Sequence, residues 1–201
     1  MTVLAIDTST SHGSVALLDG ARVLLDESFM SARNHGCALV PLLQRALELA
    51  GRFDCIAIGL GPGSYAGVRI AIATAMGVGM ATGARLVGIP SVAAWECESD
   101  HHIAIGDARR ETFYFTKVEH GICTEGPLLT DAAGLLARVA DFPGWPVLTA
   151  EPLALVPHAV VALPRALTLA RLAAEGCGIC AEGDLEPLYL REPHISLPKP
   201  R

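Results

Sequence analysis

Apolar positions along this chain follow two periods. Val3, Leu4, Ala5 and Ile6 run together and close on Asp7, the pattern of a strand buried on both faces. Thr8 to Gly13 is a turn of Ser, Thr and Gly; Ser14 to Asp19 reads as a second strand, Asp19-Gly20 as a hairpin signal and Arg22 to Phe29 as a third strand. The period then lengthens. Leu39, Leu42, Leu43, Ala46, Leu47 and Ala50 recur at helical spacing and Gly51 ends the run. This predicts a helix over 37–50 with Pro41 in its first turn, where proline is tolerated. Cys55 to Leu60 is another buried strand. A helix of small and apolar residues follows over 65–82, with Ser64 placed to cap it. Val68, Ile72, Ala75, Met76 and Gly79 share one broad face of that helix. Gly77 and Gly79 each weaken a helix by roughly 1 kcal/mol relative to Ala, which points to close approach by another element. Arg85 to Ile89 is a strand, and Pro90-Ser91 opens a short helix to about Glu98.

The pattern then repeats. Ile103-Ala104-Ile105-Gly106-Asp107 echoes Leu4-Ala5-Ile6-Asp7: an apolar strand ending in Asp, a polar turn, and a second strand over 112–118. Beyond it come Gly121 and Pro127 with no element assigned; 131–140 then reads as helix, 144–146 as a turn, 147–149 and 159–162 as short strands, and 164–175 as a helix with proline at its start. The expected fold is α/β with a duplicated unit in two domains, 1–98 and a reduced 99–201. The Pro-rich tail from Glu192 is expected to be mobile.

Composition narrows the function. The 201 residues are 51% hydrophobic and 18% charged, enough for a real core and unlike a disordered chain. A net charge of −6 argues against broad affinity for phosphate backbones; the tight basic pairs are Arg109-Arg110 and Lys199/Arg201 in the tail. The apolar run nearest to a membrane span, Ile70 to Gly83, is short and rich in Gly and Ala, and no basic region precedes an apolar one at the start. A cytoplasmic protein is expected. Six cysteines, at 37, 55, 97, 123, 177 and 180, do not form a disulfide framework. Cys177-Gly178-Ile179-Cys180 has metal-ligand spacing without the second pair a structural zinc site needs, so no metal is expected.

Candidate chemistry gathers at three places. Gly61, Pro62, Gly63 and Ser64 form a glycine turn between strand and helix, a common phosphate site. The Walker pattern fails, because Ala66 stands where its second glycine belongs and no lysine follows, and the dinucleotide pattern fails at the same position. A tight packing turn is the simpler reading. Ser64 also lacks the frame of a nucleophilic serine, since Tyr65-Ala66 follow it. Asp7-Thr8-Ser9 closes the first strand, and Asp107-Ala108-Arg109 its echo. Arg69 lies near a helix start, against the helix dipole, so a carboxylate partner is expected, with Asp7 or Asp107 as candidates.

Several ordered motifs together resemble one family. GPGSYAGVRI resembles the GPGSFTGLRIG signature of the TsaB (YeaZ) family, and LAIDTSTSHGSVALL, Arg33-Asn34-His35, Asp107-Ala108-Arg109-Arg110 and the closing Pro187-Leu188-Tyr189-Leu190-Arg191 fall in the family's order. The resemblance implies a two-domain actin-like ATPase fold of the Hsp70 and sugar-kinase type. It implies a non-catalytic subunit of the bacterial machinery for threonylcarbamoyladenosine (t6A) in tRNA. Its partners would be the catalytic paralogue TsaD and a TsaE-type ATPase, with a homodimer when TsaD is absent and tRNA engaged only indirectly. TsaD would dock on the first two helices through Leu39, Leu42, Leu43, Ala46, Leu47, Val68, Ile72, Ala75, Met76 and Gly79. No cofactor would bind to this chain alone; ATP or ADP and magnesium would sit only at the complex interface.

In active actin-like ATPases an acidic residue at Asp7's place holds hydrated magnesium and a glycine follows two residues on; here Ser9 stands there, and the adenosine-binding glycines are missing from the second half. That makes a nucleotide-dependent enzyme using Asp7 and Asp107 the alternative. A metallopeptidase is a weaker one, because Leu39 stands where a second metal histidine would follow His35. Tyr65, Ala66 and Ala71 depart from the family's Phe, Thr and Gly.

Overall fold

The computed structural model describes residues 1–30 and 35–191, with only the backbone of His35. Arg33, Asn34 and the tail from Glu192 lie outside the described residues. The N-terminal half forms β1 (Thr2–Asp7), β2 (His12–Asp19), β3 (Arg22–Met30), α1 (His35–Ala50), β4 (Cys55–Gly59), α2 (Tyr65–Thr82) and β5 (Arg85–Ile89), followed by a 3-10 turn at Ser91–Ala94. The rest forms β6 (His101–Asp107), β7 (Phe113–Glu119), β8 (Ile122–Thr130), α3 (Ala132–Ala140), β9 (Val147–Thr149), β10 (Val160–Val161), α4 (Ala166–Glu175) and β11 (Ala181–Glu182).

The repeat read from the sequence is a repeat of topology. One sheet has the order β11-β5-β4-β1-β2-β3 and the other β10-β9-β6-β7-β8. Each places its first strand at the centre, antiparallel to the next strand and parallel to the one after the helical connection. This is the duplicated α/β plan of the actin-like fold. Alternation along β1 divides its side chains between two cores. Leu4 and Ile6 face α1 and α2, packing with Leu39, Leu43, Val68 and Ile72. Val3 and Ala5 face the other side with Ala166, Leu169, Ala170 and Ala173 of α4. The second core is lined by alanines from both sheet and helix, so α4 lies close on the sheet.

The second half of the chain thus returns to the first sheet. α4 covers one face of it, and β11 extends its edge beyond β5. Ser14 of β2 fixes the return. Its hydroxyl donates to the Pro164 carbonyl at 3.3 Å and accepts from Ala166 N–H at 2.9 Å. Arg165, the residue at the helix cap, makes no side-chain cap bond, so Ser14 supplies the cap from a distant strand.

Three expectations are corrected. The segment around Pro127, given no element by the sequence pattern, is strand β8, and Gly121 lies in the turn that precedes it. β8 is an edge strand whose exposure alternates, and an edge tolerates a proline that donates no ladder bond. The helix expected to reach Glu98 stops after a 3-10 turn, because Trp95 is buried and extended, bridging Pro164. α1 begins at His35, which moves Pro41 into its second turn. β11 has only two residues and gives no readable pattern.

His102 on β6 is buried, and its ring lies 3.0 Å from the Val92 carbonyl, to which Nε2–H donates. Burial is the main force holding its pKa below the ordinary 6.5; His101 adds to it, and the Val92 carbonyl opposes it. The unfolded chain takes up this proton near pH 6.5 while the folded chain resists it. The His102 contribution is therefore complete above that pH and is lost as pH falls below it. Urea titrations from pH 7.5 to 5 should show stability falling on acidification, with a shallower fall in His102→Gln. Equal slopes in both chains would refute the assignment.

Candidate functional site

The glycine turn and the β1–β2 turn form one locked unit. Ser64 N–H donates to the Ser9 carbonyl at 2.6 Å, and the Thr8 hydroxyl to the Gly67 carbonyl at 2.7 Å. Ser64 caps α2, its hydroxyl accepting from Gly67 N–H at 3.2 Å. Ser91 closes the unit from behind: its N–H donates to the Gly61 carbonyl, and its hydroxyl accepts from Gly61 N–H. A Cβ at Gly63 would lie 2.1 Å from the Ser9 carbonyl oxygen, so two backbones meet where the phosphate-loop reading put a ligand.

Asp7 lies inside this unit and is fully buried. Its Oδ1 accepts from Ser9 N–H at 2.8 Å and from the Ser9 hydroxyl at 2.7 Å. Gly59 makes room for it, since a Cβ there would fall 1.8 Å from Oδ2 and 2.6 Å from the Ser91 hydroxyl. Ser9, which stands where active actin-like enzymes carry glycine, is therefore the residue that engages the carboxylate.

A cleft of about 640 Å³ separates the two halves. Ser9, Pro62, Gly63 and Ser64 line one wall; Gly106, Asp107, Arg109, Thr149 and Glu151 line the other. Asp107 accepts from Arg109 N–H at 2.6 Å and from its guanidinium at 3.2 Å. The structure brings Asp107, Arg109, Ser9 and the glycine turn to one cleft while keeping Asp7, Thr8 and Gly61 buried. Arg69 corrects an expectation. Among the described residues it has no carboxylate partner and donates to the hydroxyls of Tyr65 and Tyr189, with its guanidinium over the Tyr65 ring at 5.0 Å. Tyr189, Arg191, Thr112 and Ser91 were not singled out as site residues; the closing Pro187–Arg191 motif was the available signal.

The family model described as "TsaD: tRNA N6-adenosine threonylcarbamoyltransferase" matches residues 29–176. A Mycobacterium tuberculosis protein described as uncharacterized is 32% identical over 96% of this chain and 92% of its own. The tRNA threonylcarbamoyladenosine biosynthesis protein TsaB of Escherichia coli is 29% identical over 95% of each chain. TsaB of Haemophilus influenzae is 36% identical over 131 residues, 59% of this chain and 54% of that protein. The solved structure of YeaZ from Pseudomonas aeruginosa superposes with a TM-score of 0.69 at 26% identity, covering 94% of this chain and all of that one. The chain belongs to the TsaB (YeaZ) family.

The structure sorts the residues expected to meet a partner on the first two helices. Leu39, Leu43, Ala46, Val68, Ile72, Ala75 and Gly79 are buried in the chain's own core. Leu42 and Leu47 pack against that core, and only Met76 of the ten is exposed, at 41%. These buried residues cannot also meet a partner. The outward face carries others: Val40 and Leu49 on α1, and Ala66, Ala73, Met76, Gly77, Met80 and Ala81 on α2. Met80 is 87% exposed, and Arg69 is the one charged residue in α2. α2 is apolar on both faces, and of the described helices it alone is long and apolar enough to cross a membrane; its inner face lies in the core.

The cysteines do not assemble. Among the described residues no three His, Cys, Asp or Glu side chains gather as a metal requires. Burial, with Cys180 nearby, pushes the Cys123 thiol up to about 12, far from a reactive thiolate.

Proposed function

We propose that this chain is a non-catalytic subunit of the bacterial t6A machinery, docking on a TsaD-type paralogue through the outward faces of α1 and α2. The observation that carries the reading is the outer face of α2. It presents Ala66, Ala73, Met76, Gly77, Met80 and Ala81 to solvent with no charge beyond Arg69. An exposed face of this kind marks an interaction surface, and its small residues allow a partner helix to approach closely. The names of its relatives supply the pathway. Supporting the non-catalytic half are Asp7, whose Oδ1 is engaged by Ser9, and Asp107, which holds Arg109. In this reading a second copy covers the face when the paralogue is absent. A TsaE-type ATPase joins the pair, and ATP with magnesium sits only where subunits meet.

Co-expression with the TsaD-type protein of the same organism, followed by size-exclusion with light scattering, tests it. A stoichiometric complex is expected. Ala73→Glu, an exposed position, should leave the melting curve unchanged and weaken the complex at least about 100-fold, because docking would bury an unpaired charge. Ala75→Glu is no substitute, since Ala75 is fully buried and a charge there would unfold the chain. A chain that ignores the paralogue overturns the function; Ala73→Glu binding like the parent overturns the surface.

A further inference from the structure

Pro187 to Arg191 crosses the mouth of the cleft and is held on both sides. Leu185 is buried in the first-half core, and Leu188 packs on it while its N–H donates to the Leu60 carbonyl at 2.8 Å. The Tyr189 ring lies 5.5 Å from that of Tyr65 in the first turn of α2, and Arg69 donates to both hydroxyls. One residue later the chain is on the other wall. Leu190 packs on the cluster of Trp95, Ala104, Tyr114 and Leu148. Arg191 donates to the Arg109 carbonyl at 3.4 Å and to the Thr112 hydroxyl.

The Arg191 anchor grips a strained turn. Arg109, Arg110 and Glu111 have φ of 67°, 54° and 58°, three successive left-handed residues without a glycine. Each such residue is disfavoured by about 1–2 kcal/mol, and such runs persist only where the surroundings enforce them. Within the turn, Ala108 N–H donates to Thr112 O, and the Thr112 N–H and hydroxyl donate to Arg109 O. Arg191 therefore lands on the two residues that close the turn. The same turn carries the Asp107–Arg109 pair that faces the cleft.

We propose that Pro187–Arg191 is a tie that fixes the opening of the cleft and holds the Arg109–Glu111 turn in its left-handed form, with its tension set at the Tyr65–Arg69–Tyr189 cluster. Separation of the walls at this edge breaks either the Leu188 and Tyr189 anchor or the Arg191 anchor, because so few residues lie between them. The first turn of α2 and the Asp107 wall then move together, although no residue of α2 needs to touch that wall.

Amide hydrogen exchange on the full chain tests the coupling, comparing the parent with Tyr189→Ala and Arg191→Ala. Tyr189 is 43% exposed, so its loss leaves the cores intact, and a melting curve verifies this. Exchange over 108–116 should rise about tenfold in Tyr189→Ala, the scale of one ring pair and one hydrogen bond, although Tyr189 meets only the α2 side. Arg191→Ala should raise exchange in the same stretch and also over 60–66. If each variant loosens only its own side, the tie is refuted. A drop in melting temperature with uniform acceleration everywhere also refutes it, since that is general destabilisation.

Discussion

Gly67→Ala is expected to destabilise the chain by about 3 kcal/mol or more, while Gly77→Ala, further along the same helix, should stabilise it by about 1 kcal/mol. Alanine is the better helix former at both positions, so propensity alone gives both changes the same sign. Packing reverses one of them. A Cβ at Gly67 would sit 1.9 Å from the Thr8 carbonyl oxygen, a backbone atom that cannot rotate away. Thr8 is buried and tied to Gly67 by its own hydroxyl, so relief means separating the β1–β2 turn from α2. At Gly77 a Cβ would meet nothing within 4 Å. Urea midpoints of the two variants check this, and shifts of the same sign would refute it. Gly77 also lies on the face proposed for docking, so its stabilised variant should bind the paralogue less well.

Asp7→Ala is expected to lose about 3–5 kcal/mol, because it leaves the Ser9 amide and hydroxyl without their charged acceptor in a buried site. Asp107→Ala should lose about 1 kcal/mol or less, since its guanidinium partner Arg109 is largely exposed. The contrast bears on how a nucleotide-using enzyme is sought in this chain. Loss of nucleotide binding in Asp7→Ala would report a disturbed fold, whereas Asp107→Ala probes the cleft with the fold preserved. Thermal melts of both variants, taken with the parent, are the check; equal losses would mean that Asp7 is not the structural hub its contacts describe.

How much was legible follows from these residues. α2 runs from Tyr65 to Thr82, as its sequence punctuation predicts, because Ser64 caps one end and left-handed Gly83 closes the other. Its orientation was not legible. With apolar residues on every side, nothing in the periodicity says that Ala71, Ala75 and Gly79 face inward while Met76 and Met80 face solvent. The repeated Asp-terminated strand was readable, and it located both walls of the cleft. Strand β8 was hidden by Pro127, which signals a break only when a strand is central. Of the two partners of Arg69, Tyr65 lies one helical turn away, within local reach, while the other was hidden for another reason. Tyr189 lies 120 residues further along the chain, and local chemistry suggested a carboxylate where the fold supplies phenols.

The cap that Ser14 lends to α4 has a consequence for how the chain is made. On the ribosome, β1 and β2 emerge long before residues 166–175, the helix that covers Val3, Ala5, Ala16 and Leu18. Until then that face of the first sheet is bare, and the Ser14 hydroxyl waits for the Ala166 amide. The nascent protein thus spends most of its synthesis with one face of its first sheet uncovered, apolar surface of the kind that chaperones exist to shield.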